Sequence, residues 1–207
     1  MSNEQPLKIL CIHGYRQNGQ VFRERTGAFR KIIKKHADLV FITAPNRVPP
    51  LERDGGAADS TVDTDARGWW FSRGEDNYYN PLDYTDSSKG FEDSLKCIIQ
   101  TFQEQGPFDG IVAFTSPIKF DFAIFVSGFK SRQKEHGRFY DVTIEIPTLH
   151  VFGETDQVIA KEMSEDLLQC YKEPMVLQHA GGHFIPASSA QKKKYVEFLD
   201  LMIARKK

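Results

Sequence analysis

Short runs of apolar residues alternate along the chain with segments in which apolar residues recur at helical spacing. Within these runs apolar and polar residues do not alternate, which is typical of strands in a parallel sheet that is covered on both faces. The predicted strands are 7–12, 39–44, 110–114, 122–126, 149–152 and 175–178. Helical spacing begins near Val21 and recurs over 91–102, 163–171 and 195–202. This alternation predicts an α/β fold with a mostly parallel sheet and helices on both faces.

One connection is too short for this pattern. Only residues 115–121 separate the predicted strands 110–114 and 122–126. Parallel neighbours are normally joined by a crossover of about a dozen residues or more, usually a helix. Either these two strands run antiparallel, or the chain lacks one crossover helix after Phe114.

The segment 48–87 is predicted to be a surface excursion from a single domain that spans 1–207. Its first part is rich in proline, glycine and acidic residues, which offer little to bury. It then carries an aromatic cluster formed by Trp69, Trp70, Phe71, Tyr78, Tyr79 and Tyr84. Two interpretations remain open: the cluster anchors the excursion to the core, or Trp69, Trp70 and Phe71 line an apolar substrate pocket.

Composition indicates which classes of binding partner and which cellular compartment to expect. A net charge of -1 gives no reason to expect nucleic acid. No apolar run approaches the roughly 20 residues of a membrane helix, and the first residues do not resemble a signal peptide, so neither is predicted. Three widely spaced cysteines favour a reducing compartment, and we predict a cytoplasmic or nuclear protein. No cofactor is predicted, and the oligomeric state is left open.

Two segments near the end of the chain carry the predicted chemistry. Asp156 follows the strand 149–152, and His183 lies in a glycine-rich loop after the strand 175–178. Taken alone, neither residue indicates catalysis, since aspartate is common in turns and a single histidine in a loop is common too. Together they give the acid and then the histidine of an α/β-hydrolase triad, whose nucleophile lies upstream. His183 would take the proton of a hydroxyl nucleophile, and Asp156 would orient the imidazole and stabilise its charged form.

The loop after the first strand is a candidate oxyanion hole. His13-Gly14 follows strand 7–12, at the position where α/β-hydrolases use backbone N–H groups to bind the oxyanion. The N–H of Tyr15 is the candidate donor, and an ordinary turn is the alternative. Cys11 lies within the strand and is predicted to be a core residue rather than a nucleophile.

Motifs in four regions resemble those of a known family. They are Cys11-Ile12-His13-Gly14-Tyr15-Arg16-Gln17-Asn18, Arg67-Gly68-Trp69-Trp70-Phe71, Gly106-Pro107-Phe108-Asp109-Gly110 and the region 150–186. Together they resemble the fungal and animal family of small serine hydrolases over almost the whole chain. The resemblance implies an α/β-hydrolase fold and the hydrolysis of carboxylic esters, with long acyl or alkyl chains favoured. It also implies that Asp156 and His183 are charge-relay residues.

The chain departs from this family at the nucleophile. The family carries a Gly-Phe-Ser-Gln-Gly elbow and a helix after the strand that corresponds to 110–114. Here the strand runs directly into Thr115-Ser116-Pro117. Thr115 takes the position of the nucleophile but is β-branched, which suits a strained turn poorly. Ser116 is the nucleophile candidate, although Pro117 has no N–H to serve as an oxyanion donor. A segment of about twenty residues, the usual size of such an elbow and crossover helix, is predicted to be absent.

Three functions are compatible with these residues. The first is a serine carboxylesterase with a Ser-His-Asp mechanism, of which this chain clearly keeps the acid and the histidine. The second is a catalytically impaired form that acts as a binding or interaction protein. The third is metal-dependent hydrolysis through His13, Asp156 and His183, which is disfavoured because no ligand cluster with metal spacing is present.

Overall fold

A central sheet of six parallel strands forms the core of the computed structural model, which describes residues 5–50, 65–113 and 120–206. The strands are β1 (Leu7–Ile12), β2 (Ala37–Ile42), β5 (Gly110–Ala113), β6 (Phe122–Val126), β7 (Thr148–Gly153) and β8 (Met175–His179). Their order across the sheet is β2-β1-β5-β6-β7-β8. Two short strands, β3 (Asn46–Arg47) and β4 (Arg67–Gly68), form a separate antiparallel ribbon.

The helical segment predicted from Val21 consists of two helices. They are α1 (Gly19–Arg25) and α2 (Gly27–Ile33). The side chain of Asn18 caps α1 by accepting a hydrogen bond from Val21 N. Thr26 lies between the helices, and its hydroxyl donates to the Phe22 carbonyl oxygen. The apolar spacing continues through this interruption, so the sequence pattern did not show it.

Three longer helices follow the predicted segments. They are α3 (Phe91–Gln105), α4 (Lys161–Leu168) and α5 (Ser189–Arg205). Gly106 is the residue at which α3 ends. A capping box of Ser188 and Gln191 begins α5. A short 3₁₀-helix, Lys134–Tyr140, was not predicted.

Side chains of β1 divide the core into two layers. Leu7, Ile9 and Cys11 pack in one cluster with apolar residues of α1, α2 and α5. Leu10 and Ile12 pack in a second cluster with apolar residues of α3. The sheet therefore has helices on both faces, as predicted for this fold class. Cys11 is buried, and burial raises the pKa of its thiol well above the ordinary value, so its placement in the core is confirmed.

The strands β5 and β6 are parallel neighbours, with Gly110 paired to Phe122 and Ala113 paired to Phe125. The alternative of an antiparallel turn between them is therefore wrong. Their connection, residues 114–121, is shorter than parallel crossovers normally are. The predicted strand residue Phe114 lies outside the described residues. The short connection favours the other alternative, in which the crossover helix is absent.

Part of the predicted surface excursion is integrated into the core. Val48, Ala66 and Phe71 form a small buried cluster against Tyr15, while 51–64 fall outside the described residues. The assignment of 1–207 to one domain stays a prediction. In the described part of the chain, no helix combines the length and apolarity that crossing a membrane requires.

Candidate active site

Asp156 lies in the turn that follows β7, and its side chain is 0% exposed. Carboxylate oxygen Oδ1 accepts hydrogen bonds of 2.9 Å from the backbone N–H groups of both Val158 and Ile159. These two bonds fix the plane of the carboxylate. The second oxygen, Oδ2, is left to face other side chains.

The loop that carries His183 is fastened to the turn that carries Asp156. Glu154 N donates to the His179 carbonyl oxygen at 2.8 Å, and Thr155 N donates to that of Gly181 at 3.2 Å. Close approach requires glycine at the end of β7. A Cβ atom at Gly153 would stand 2.6 Å from the Gly182 carbonyl oxygen and nearer still to that of Gly181.

The imidazole of His183 lies directly beside the carboxylate. Nδ1 of His183 is 2.9 Å from Asp156 Oδ2, although the two residues are 27 positions apart in sequence. With the carboxylate ionised, Nδ1 carries the proton and donates it in this bond, which leaves the Nε2 lone pair available to accept a proton. The His183 side chain is 35% exposed and lines a cavity.

The carboxyl of Asp156 is held in its ionised form. Burial acts to raise its pKa, but the carboxylate accepts four hydrogen bonds that favour the charged state. The hydrogen bonds outweigh burial, and the pKa of Asp156 lies below its ordinary value. The fourth donor is the hydroxyl of Ser127, 2.9 Å from Oδ2, which the sequence pattern did not single out.

A cavity of about 540 Å³ opens beside His183 and is largely apolar. Its lining includes Trp69, Trp70, Tyr79 and Phe91. Phe71 was a third candidate for this lining, but the structure places it in the core, where it is 1% exposed and packs with Val48 and Ala66. The two tryptophans and Phe71 are consecutive, and only the tryptophans face the cavity.

The oxyanion candidate lies at the cavity as well. Tyr15 lines it, and the Tyr15 N–H has no hydrogen-bond partner among the described residues. The next two N–H groups are used, since Arg16 N donates to the Arg67 carbonyl oxygen and Gln17 N to that of Gly14. A free N–H at this place can donate to a substrate oxygen.

His13 has a structural role. It is 0% exposed, its Nδ1–H donates to the Gly14 carbonyl oxygen at 2.8 Å, and its Nε2 accepts from Ala44 N at 3.0 Å. Burial lowers the pKa of His13 to about 4. Both ring nitrogens are therefore occupied. Over residues 5–50, 65–113 and 120–206, no three His, Cys, Asp or Glu side chains are grouped so that they could hold a metal ion.

Comparison with known families and proteins assigns the chain to a family. The sequence model described as serine hydrolase (FSH1) matches residues 1–116 and 115–195. The chain belongs to the FSH1 serine hydrolase family. The two matched pieces meet at residues 115–116, where the crossover between β5 and β6 is too short.

Relatives of similar length are named as esterases. Esterase OVCA2 of Danio rerio is 43% identical over 219 residues, with 94% of this chain and 96% of the relative covered. Esterase OVCA2 of Homo sapiens is 35% identical over 225 residues, with coverage of 97% and 98%. Both alignments are longer than the 207 residues of this chain, so each relative contains residues with no counterpart here.

Solved structures support the fold assignment. SOBER1 of Arabidopsis thaliana matches with a TM-score of 0.59 at 18% identity, covering 96% of this chain and 100% of that chain. Acyl-protein thioesterase 2 of Zea mays matches with a TM-score of 0.60 at 14% identity, with coverage of 97% and 95%. These likenesses, with the parallel sheet, confirm the α/β-hydrolase fold.

The nucleophile candidate is the one part of the predicted triad for which geometry is lacking. Ser116 and its neighbour Thr115 lie outside the described residues. Among the described residues, no hydroxyl group hydrogen-bonds to Nε2 of His183. The structure thus brings Asp156, His183, Trp69, Trp70 and Tyr15 to one site.

Proposed function

We propose that the site is built for hydrolysis of carboxylic esters by a Ser-His-Asp mechanism, with the acyl or alkyl chain of the ester in the cavity. The observation that carries this proposal is the Asp156–His183 pair, whose imidazole opens into an apolar cavity of about 540 Å³. Volumes of this size are typical of small-molecule sites. Membership of a serine hydrolase family and the names of the relatives support the same chemistry.

The roles of the residues follow from the hydrogen bonds. Nε2 of His183 accepts the proton of a serine hydroxyl as the hydroxyl oxygen attacks the ester carbonyl. The tetrahedral oxyanion is bound by backbone donors, of which the Tyr15 N–H is one. His183 then gives the proton to the leaving alkoxide, and water repeats the sequence to release the acid. Asp156 keeps the imidazole in the correct tautomer and stabilises its charged form.

Apolar walls favour esters with long chains. Trp69 and Trp70 present aromatic surface to the cavity, and the side chains of Phe91, Leu95 and Ile98 continue that surface along α3. A longer hydrocarbon chain removes more apolar area from water when it is bound there. Acetate esters use little of this surface, so we expect discrimination by chain length.

The 207-residue chain hydrolyses esters poorly under this proposal. The family match breaks at residues 115–116, and the crossover between β5 and β6 is too short for an elbow and a helix. Ser116 stands next to the break, followed by Pro117, which offers no N–H to an oxyanion. Removing the nucleophile from a working triad lowers kcat by about 10⁶-fold.

A second candidate function is ligand binding without turnover. The break in the family match favours it, because described residues line the cavity and form the Asp156–His183 pair, both of which a binding protein would keep. A protein of this kind would bind long-chain esters or fatty acids and release them unchanged.

Labelling with a fluorophosphonate separates the two candidates. Such a probe reacts with an activated serine, and mass spectrometry of the intact chain counts the adducts. Labelling that is lost in His183→Ala and maps to Ser116 would establish this chain as a serine hydrolase. Absence of labelling, combined with binding of a long-chain ester that a short-chain ester cannot compete with, would favour the binding function.

A further inference from the structure

Ser127 lies buried at the carboxyl end of β6. Its N–H donates a 2.8 Å hydrogen bond to the Val151 carbonyl oxygen of the neighbouring strand, and the residue is 1% exposed. Its hydroxyl donates to Asp156 Oδ2 at 2.9 Å. Within the described part of the chain, the hydroxyl has no other hydrogen-bond partner. The polar group of Ser127 is thus directed at the acid of the Asp156–His183 pair.

The backbone at this position does not suit serine. Its φ angle is +47°, in the left-handed region, where glycine is relaxed and a residue with a side chain is strained. Such strain persists where the surrounding structure enforces it, and it is frequent at functional sites. Glycine would fit the backbone with less strain, so the hydroxyl is the feature that distinguishes serine here.

Ser127 and His183 share one oxygen atom. Oδ2 of Asp156 accepts from the Ser127 hydroxyl and from His183 Nδ1, whereas Oδ1 is used by backbone N–H groups. We propose that Ser127 is a positioning residue: its hydroxyl shares Oδ2 with His183 and thereby sets the strength and direction of the Asp156–His183 hydrogen bond. The proposal rests on the proposed function, because that function makes the pair catalytic.

The geometry distinguishes this role from that of a nucleophile. A nucleophilic hydroxyl donates to the imidazole that activates it. The Ser127 hydroxyl donates to the carboxylate instead, on the other side of the pair from Nε2. Its burial also keeps it from an ester carbonyl in the cavity.

The titration of Asp156 reports the contact directly. Burial acts to raise the Asp156 pKa, and the hydrogen bonds from Ile159, His183, Val158 and Ser127 lower it. In Ser127→Ala the carboxylate keeps three of these four donors, so the pKa of Asp156 rises towards its ordinary value. Since His183 is then the single donor to Oδ2, its bond strengthens and the Nδ1–H proton resonance moves downfield.

The experiment is NMR on the full 207-residue chain labelled at Asp and His. The Asp156 carboxyl carbon is followed from pH 7 to acid, and the Nδ1–H proton is observed where Asp156 is ionised. The variants are Ser127→Ala and Ser127→Gly, which both remove the hydroxyl but differ in backbone strain. Ser164→Ala is the control, because its buried hydroxyl has no hydrogen-bond partner among the described residues. Burial lowers the pKa of His179 and the Asp156 charge opposes that shift, so His179 is assigned separately.

The proposal is supported if the Asp156 titration midpoint rises and the His183 Nδ1–H resonance moves downfield by equal amounts in the two Ser127 variants, and if neither changes in Ser164→Ala. Ser127→Gly should also melt above Ser127→Ala by about 2–5 °C, because glycine relieves the strain. An unchanged Nδ1–H resonance in both variants would overturn the proposal, since the hydroxyl would then have no influence on His183. None of these measurements requires turnover, so a failure of the esterase proposal would leave them intact.

Discussion

Gly153 at the end of β7 meets Gly181 at the start of the histidine loop so closely that no side chain fits between them. The two glycines let the strand that leads to Asp156 and the loop that carries His183 approach within hydrogen-bond distance. A backbone contact between the two segments therefore sets the geometry of the acid–base pair.

Gly153→Ala should separate the pair. The added Cβ overlaps backbone carbonyl oxygens, which cannot rotate away as a flexible side chain could. The loop must shift, and we expect a loss of about 1–3 kcal/mol in the free energy of unfolding, as for other overpacked sites. Urea unfolding and the His183 Nδ1–H resonance measure both effects.

Gly137→Ala is the matched control for this substitution. A Cβ at Gly137 meets nothing within 4 Å, so stability and the resonance should stay as in the parent chain. If Gly153→Ala behaved in the same way as Gly137→Ala, the close contact would not position the loop.

His150 makes stability depend on pH. It is buried on β7 between Phe125 and Tyr171, and burial lowers its pKa to about 4. In the unfolded chain His150 has its ordinary pKa of about 6.5 and binds a proton below that pH. In the folded chain it binds a proton only near pH 4. Neutral His150 therefore contributes its whole share to the free energy of unfolding above about pH 6.5. This contribution is lost as pH falls from about 6.5 to about 4.

His150→Phe should flatten this dependence. Each such histidine contributes up to about 1.4 kcal/mol per pH unit within the window. His13, whose pKa is also lowered to about 4, keeps part of the pH dependence in the variant. Urea unfolding at pH 7, 6, 5 and 4.5 measures the slope. Thr148→Val removes the hydroxyl that contacts His150 Nε2 and leaves the imidazole, so it should keep the steep slope. Equal slopes for His150→Phe and the parent would contradict the assignment.

Trp70 and Phe71 are neighbours with different expected effects. Trp70 lines the cavity, so Trp70→Ala in a chain with the elbow restored should raise KM for a long-chain ester more than for an acetate ester. Phe71 lies in the core, and Phe71→Ala should instead lower the free energy of unfolding by about 3–5 kcal/mol. Kinetics over a series of nitrophenyl esters and urea unfolding give the two results. A chain-length effect in Phe71→Ala equal to that in Trp70→Ala would contradict the assignment of Phe71 to the core.

Strand positions and the acid–base pair were accessible from the sequence. Runs of apolar residues predict buried parallel strands, and residues that follow such strands collect at one edge of the sheet. Asp156 and His183 both follow strands, so their proximity could be expected. The short crossover could be read from spacing as well, because 115–121 cannot hold a helix and return the chain.

The remaining features depend on backbone geometry that no periodicity encodes. Ser127 precedes a glycine after a strand, which in sequence is typical of an ordinary turn, and its positive φ and its contact with Asp156 appear only in three dimensions. The burial of the Phe71 side chain, beside two tryptophans that line the cavity, is likewise visible only in the structure. Consecutive aromatic residues in a loop have no fixed alternation, so the chain could not be divided into cavity and core residues by pattern.

We propose that Asp156 and His183 are the acid–base pair of a serine esterase whose nucleophile segment is interrupted between β5 and β6. The most direct test inserts the corresponding elbow and helix of an intact relative after Val112 and compares kcat/KM on a medium-chain nitrophenyl ester. We expect kcat/KM of the restored chain to exceed that of the 207-residue chain by at least about 10⁴-fold, and His183→Ala to remove this gain. Comparable activity in the two chains, or a restored activity that survives His183→Ala, would contradict it.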